Sequence, residues 1–251
     1  MKKISVVSFG LMLAACAAYV IQSRKEGLVE YAGSQKNIFA TGKADKALTV
    51  ANMVTGPDSF GVGAAAGLDG EITVYRGTPY VTKVRGNEVV VDHGVRHGAV
   101  FAVWTKQSKW SEEPVPAEVK GYVDLQRFVK ERAASAGIDV TKPFPFLLVG
   151  TPAEVKWHVN VDRTEGKPIT PELFAKSKAN YVAKNEPMDI IGFYSENHPG
   201  IFISALAPAI KPDSGARNAM HIHMVSRDGK TSGHIDDLTL APGMTLRLPR
   251  S

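Results

Sequence analysis

From Leu48 onward the chain is cut into short β-branched runs that glycine repeatedly interrupts: "LTVANMV", "EITVYRG", "TPYVTKVRG", "NEVVVDHG" and "AVFAVWTK". Their length and turn punctuation specify antiparallel strands. "SEEPVPAE" (111–118) breaks the series with two prolines. "DLQRFVKERAASAG" then reads as one helix, with Asp124 as N-cap, Leu125, Phe128, Val129 and Ala133 on one face, and Gly137 as the stop. After "TKPFPF" a second β-rich stretch begins, where "EVKWHVNVD" alternates Val155, Trp157, Val159 and Val161 on one face and sends His158 to the other. Thr170 and Pro171 in "TPELFAKSK" mark a helix start. "DIIGFYS", "GIFISALA" and "MTLRLP" read as further strands, with the loop "PAIKPDSGARNA" among them. The pattern is α+β: two β-rich halves of antiparallel or mixed sheets with a few helices, joined around residues 111–140.

Ahead of this lies "MKKISVVSFGLMLAACAAYVIQSRKEG", two lysines followed by an uncharged run from Ile4 to Ile21 and then Arg24 and Lys25. That is the layout of an export signal. "LAAC" (Leu13 to Cys16) resembles the lipobox of bacterial lipoproteins, in which the cysteine becomes the acylated first residue. A plain signal peptide cut after Ala17 or Ala18, and an uncleaved anchor, are the competing readings, since the apolar run nearly reaches spanning length. The expected organisation is a signal over 1–21, a polar tether over 22–46, an N-terminal β-rich domain over 47–135 and a C-terminal zinc-binding domain over 136–251. The expected location is the periplasm, with or without a lipid anchor. Cys16 is the chain's single cysteine, so disulfides, thiolate nucleophiles and cysteine-held metals are excluded from the rest. The formal charge of +5 falls to about +3 without Lys2 and Lys3 and forms no long basic run, which argues against nucleic acid.

The chemistry concentrates in "HIHMVSRDGKTSGH", residues 221–234, which holds three of the seven histidines. His221 and His223 are two apart, so a strand projects both to one face. Asp228-Gly229 is a preferred two-residue hairpin turn. If it is the turn, facing residues set His223 opposite His234 and His221 opposite Asp236, and three imidazoles share a face with opposed Cβ atoms about 5 Å apart. A bulge at Gly233 would shift that register. Lone strand histidines are ordinarily surface or hydrogen-bonded residues. A His-x-His with a third histidine across a turn instead suits a zinc ion with an open coordination position, as catalytic zinc sites have.

With "FGVG…GLDGE" (60–71), "DRT…KP", "IIGF" and "HIHMVSRDGKTSGHIDDLTL" in that order, the chain from about Ala47 to Pro249 resembles the alpha-acetolactate decarboxylase family. The resemblance implies a two-domain fold that binds Zn2+ through His221, His223 and His234 and converts 2-acetolactate to acetoin and carbon dioxide. It implies Glu71 as the active-site glutamate and Arg163 as the active-site arginine. Ala64, Ala65 and Ala66 stand where the family usually has Thr-Phe-Asn, and "TLRLPRS" offers no match to its second glutamate. Decarboxylating a 2-hydroxy-3-keto acid needs an electrophile for the charge left behind, a proton carrier and a grip on the carboxylate. Zinc, Glu71 and Arg163 fill those roles.

The expected partner is a small hydroxy-keto acid, with membrane contact only through the N-terminal segment and a homodimer left open. Two other functions compete: a zinc hydrolase or isomerase on the same scaffold, and a non-catalytic exported protein that binds zinc or a ligand. His93 and His97 are expected in an exposed loop rather than on a second metal, His158 and His198 on the surface, and Trp104, Trp110 and Trp157 as core or edge aromatics.

Overall fold

A computed structural model describes residues 27–198 and 217–250. The signal segment with Cys16, the run "GIFISALA" and most of the loop after it lie outside the described residues. Among the described residues seven strands form the first sheet: β1 (Val29–Gly33), β2 (Leu48–Thr49), β3 (Ser59–Ala65), β4 (Glu71–Tyr75), β5 (Thr78–Arg85), β6 (Glu88–Asp92) and β7 (Gly98–Lys106). Eight form the second: β8 (Trp110–Pro114), β9 (Phe144–Gly150), β10 (Glu154–Asn160), β11 (Lys178–Lys184), β12 (Met188–Tyr194), β13 (Met220–Ser226), β14 (Ser232–Thr239) and β15 (Thr245–Pro249). The helices are α1 (Gln35–Thr41), α2 (Tyr122–Ser135) and α3 (Pro171–Lys176). The order is β1-β7-β3-β4-β5-β6, with β2 on β7, in one sheet and β11-β10-β14-β13-β12-β9-β15-β8 in the other, every pairing antiparallel.

Local chemistry sets the hairpins. Arg76 and Gly77 both take positive φ, 51° and 76°, between paired Tyr75 and Thr78. This is the primed two-residue turn whose twist suits adjacent strands. Thr170 caps α3, its side chain accepting from Leu173 N–H, and Pro171 opens the first turn as expected.

The two sheets share a core. β3 and β4 lie against β12, β13 and β14, while β5 meets β10 and β14. Phe60, Val62 and Val103 of the first sheet pack in one cluster with Leu147, Ile191 and Phe193 of the second. The expected division at residue 135 therefore does not follow the architecture. β8 pairs with β15 at the edge of the second sheet, and α2 lays Leu125, Val129 and Ala133 into the same core. The two prolines of "SEEPVPAE" do not prevent β8, because an edge strand has an unpaired side where a missing N–H costs no ladder bond.

Two further expectations are corrected. Residues 22–46 are not a tether throughout: β1 pairs along β7 from Val29↔Thr105 to Gly33↔Phe101, and α1 buries Ile38 against Leu68, Phe101, Ile169 and Phe174. A five-residue strand and a seven-residue helix are too short to display a period. Asp124 is not the cap of α2, which starts at Tyr122 behind Gly121. Burying Leu125 and Val129 contributes about 1.5–3 kcal/mol each, against about 1 kcal/mol for a cap, so packing fixes where the helix begins. Asp124 sits in the first turn, accepting from Lys120 N–H at 3.4 Å. Among the described residues no helix is long and apolar enough to cross a membrane.

Candidate metal centre

The hairpin of β13 and β14 pairs His223 with His234, Met224 with Gly233 and Val225 with Ser232. That is the register expected from the sequence, reached by a different loop. Ser226 N–H donates to Thr231 C=O, so Arg227–Lys230 form a four-residue connection in which Gly229 has φ 70° and Asp228 Oδ1 accepts from Ser226 Oγ and Lys230 N–H. Gly233 hosts no bulge. It is a glycine because a Cβ there would lie 2.6 Å from Trp157 Cε3 and 2.8 Å from the His158 carbonyl oxygen.

The three imidazoles converge. Ring centroids are 5.0 Å apart for His221–His223, 5.0 Å for His221–His234 and 5.2 Å for His223–His234, and one nitrogen from each lies within 4.8 Å of the others. His221 and His223 are buried and His234 is partly so. Burial holds His223 and His234 well below the usual histidine range, with neighbouring imidazoles adding to the shift. These rings are neutral, which is the form that binds metal.

Behind His223 stands a buried hydroxyl pair. His223 Nδ1 is 3.0 Å from Thr73 Oγ1, which accepts from Ser232 Oγ at 2.8 Å. In the tautomer with its proton on Nδ1, His223 donates to Thr73 and keeps the Nε2 lone pair toward His221. Such an outer hydrogen bond is what orients a ligating histidine.

Glu71 joins the cluster from the first sheet. It begins β4 opposite Ala64, is 3% exposed, and places Oε2 3.7 Å from His223 Nε2. The preceding turn is held by Asp69, whose carboxylate binds Lys83 Nζ at 2.6 Å and Arg85 Nη1 at 2.8 Å. Burial pushes the Glu71 carboxyl well above its ordinary range, against the pull of Lys178 and the donated N–H of Asn160. Glu71 is thus no exposed turn carboxylate.

His158 was expected on the surface and is instead a fourth imidazole of the site. It is 4% exposed, its ring lies 4.8 Å from that of His234, and its Nε2 is 3.7 Å from Glu71 Oε1. Its Nδ1 is 2.6 Å from Asp236 Oδ2. Asp236 reaches it through a bulge: β14 pairs Ile235 with Trp157 and Asp237 with Lys156, leaving Asp236 over. A bulge turns the extra side chain out of the alternation, so Asp236 serves His158 rather than standing opposite His221. His158, His234 and Asp236 form a second set of ligating atoms within 4.8 Å of one another. Burial lowers the His158 pKa despite the attraction of Asp236. Alternation along β10 signals His158, but only the packing of the first sheet reveals that its face is covered.

Arg163 is not drawn into this cluster. It is exposed beyond the end of β10, and its Nη1 donates to the Lys176 carbonyl at 3.2 Å. His93 and His97 lie in the β6–β7 connection, His97 Nε2 3.0 Å from Asp92 and His93 Nδ1 2.7 Å from the Pro79 carbonyl oxygen. The far wall is apolar: Phe101 sits 6.0 Å from the His221 ring and packs with Ala64, Ile38 of α1 and Phe174 of α3.

The sequence pattern of the family described as alpha-acetolactate decarboxylase matches residues 31–248. A search of curated protein sequences finds no match. Among solved structures, alpha-acetolactate decarboxylase from Bacillus subtilis strain 168 is similar with a TM-score of 0.66 at 15% identity, covering 89% of this chain and 86% of that one. Acetolactate decarboxylase from Bacillus subtilis subspecies spizizenii gives 0.64 at 16% identity, covering 89% and 86%. A Staphylococcus aureus protein of unknown function, similar to alpha-acetolactate decarboxylase, gives 0.63 at 16% identity, covering 87% and 84%. At such low identity these neighbours speak for the fold alone. The family match spans most of the chain, and with it the hairpin, Glu71 and both sheets: the chain belongs to the alpha-acetolactate decarboxylase family, as a divergent member.

Proposed function

We propose that the protein is a zinc-dependent carboxy-lyase that converts 2-acetolactate, or a related 2-hydroxy-3-keto acid, to acetoin and carbon dioxide. The observation that carries the proposal is the convergence of three imidazoles, His223 and His234 held neutral by burial, beside one buried carboxyl. The donor set fits zinc. Two nitrogens on one tetrahedral zinc at about 2.0–2.1 Å are about 3.3 Å apart, and His221 Nε2 and His223 Nε2 are 3.2 Å apart. His221, His223 and His234 would hold the ion, with Thr73 fixing the His223 tautomer.

When bound there, zinc supplies electrophilic stabilisation for the negative charge left as carbon dioxide departs. Glu71 handles the proton: a carboxyl whose charged form burial disfavours takes the hydroxyl proton of the substrate and delivers a proton to the carbon that lost its carboxyl group. Arg163 is the proposed grip on the departing carboxylate, by paired donors from one guanidinium. For that it must release the Lys176 carbonyl. The apolar cluster of Phe101 with Ala64, Ile38 and Phe174 beside the His221 ring limits water at the reacting carbon. The proposal includes export by the N-terminal segment to the periplasm, with Cys16 as the candidate lipid-anchor position.

Zinc content and acetoin formation from racemic acetolactate test this together. We expect about one zinc per chain, acetoin production, and loss of both in His223→Ala. Zinc bound without acetoin would turn the assignment to a hydrolase, an isomerase or a zinc-holding binding protein. Full zinc occupancy in His223→Ala would refute the site.

A further inference from the structure

Beside the histidines, β10 and β11 present polar groups that the proposed zinc chemistry does not use. Asn160 pairs with Lys178 across the two strands, and the pleat gives both the face that carries His158. Asn160 is 3% exposed, its side-chain Oδ1 has no hydrogen-bond partner among the described residues, and its backbone N–H donates to the Glu71 carboxyl. A buried amide oxygen beside a catalytic carboxyl normally meets a donor from a ligand or water.

Lys178 is 23% exposed, with Nζ 3.4 Å from Asp236 Oδ1. The other oxygen of Asp236 is engaged by His158 at 2.6 Å. One long contact leaves two of the three ammonium donors of Lys178 for another acceptor. The ammonium is also close enough for its charge to act on Glu71, His158 and His234. Arg163, by contrast, is exposed and spends a donor on the Lys176 carbonyl.

We propose that Lys178 and Asn160 form a subsite that receives the substrate before reaction, Lys178 donating to the carboxylate alongside Arg163 and Asn160 Oδ1 accepting from the 2-hydroxyl until that proton passes to Glu71. The inference rests on the reading that this site takes a 2-hydroxy-3-keto acid. It deepens that reading by giving the acid group a holder beside the histidine cluster. It also assigns Lys178 to binding, so its loss raises KM more than it lowers kcat, because a charge that meets the carboxylate before reaction stabilises the bound substrate.

The test uses two probes that cannot decarboxylate, 2,3-dihydroxy-2-methylbutanoate and its counterpart without the carboxylate, 2,3-butanediol. Each is titrated calorimetrically against the full chain loaded with zinc, as wild type, Lys178→Met, Lys178→Arg and Asn160→Ala, with zinc content measured for every protein. The wild type is expected to prefer the acid. Lys178→Met should weaken the acid about 10- to 100-fold and leave the diol unchanged, as the loss of a charge-assisted hydrogen bond requires. Lys178→Arg should restore most of the preference, and Asn160→Ala should weaken both probes, since both keep hydroxyls. An undiminished acid preference in Lys178→Met overturns the subsite while the proposed function stands. Wild-type protein that binds the acid no better than the diol overturns the function and the subsite with it. Lys178 is partly exposed, so Lys178→Met decides the matter even if Asn160→Ala does not fold.

Discussion

Thr73→Val removes one oxygen from behind the histidines and leaves the shape of the side chain nearly intact. Thr73 is fully buried, with Oγ1 3.0 Å from His223 Nδ1 and 2.8 Å from Ser232 Oγ. The valine variant leaves two buried groups without that partner, the His223 ring N–H and the Ser232 hydroxyl. Each unsatisfied group costs about 1–3 kcal/mol. Valine suits a strand and fills the same volume, so the net loss should be about 2–4 kcal/mol. For a chain of this size that lowers the melting temperature on the order of 10 °C. The second consequence is specific to the site. Without Thr73 the His223 proton is no longer confined to Nδ1, and zinc affinity should fall about 10- to 100-fold, the usual cost of losing an outer-shell partner. Competition against a zinc-buffering chelator measures the affinity, and thermal unfolding of the metal-free protein measures the stability separately. Zinc affinity equal to wild type, in a variant destabilised as expected, would show that the hydroxyl pair supports only the core, and the account of how His223 is oriented would fail.

The other predictions concern charge, chemistry and address. Glu71→Gln keeps shape and hydrogen-bonding reach but removes the proton carrier, so acetoin turnover should fall about 10²- to 10⁴-fold with zinc content near wild type; full turnover would remove Glu71 from the mechanism. Arg163→Lys keeps charge but loses the paired donors, so steady-state kinetics should show a raised KM together with a reduced rate if the guanidinium reaches the substrate. Asp69 is held below the usual carboxylate range, chiefly by the hydrogen bond from Arg85, so its folded pKa lies below its unfolded one. Its contribution is therefore present above the unfolded pKa and lost as pH falls through the folded one. Denaturant titrations should find Asp69→Asn less stable than wild type at pH 7, with the gap closing below about pH 4, and a gap independent of pH would contradict this. Cys16→Ser should move the protein from the membrane fraction to the soluble periplasm if the cysteine is lipidated, whereas unchanged association would point to an uncleaved anchor.

Strands and hairpins were legible because their signals are local. Arg76-Gly77 and Thr170-Pro171 set their turn and helix start through backbone preferences that a few residues carry by themselves. β1 and α1 escaped notice because neither is long enough to show a period, and they owe their stability to β7 and to the apolar cluster around Phe101 respectively. The shared core was hidden for a related reason. Periodicity shows that a strand has an apolar face, but not which sheet meets it, so the prolines after β7 suggested a boundary where the chain only passes to the edge of the second sheet.

The same distinction divides the site. His221, His223 and His234 lie within one hairpin, and their convergence follows from strand alternation and a register that survived a change of loop from two residues to four. The groups that act on that triad come from far away along the chain: Thr73 is 150 residues from His223, and His158 is 78 from Asp236. No spacing rule relates such positions, and the contact between His158 and Asp236 depends on a bulge that shifts one residue out of register. A resemblance helps only where a motif carries it, as "GLDGE" does for Glu71. "DRT" identified Arg163 but could not say where its guanidinium points, because an exposed side chain is directed by whatever acceptor is near, here the Lys176 carbonyl. The histidine hairpin can therefore persist on a local pattern while the groups packed against it change with distant parts of the chain. Ala64 beside Glu71, the Asp236 bulge and the pair of Asn160 with Lys178 are where this chain's substrate preference is to be sought.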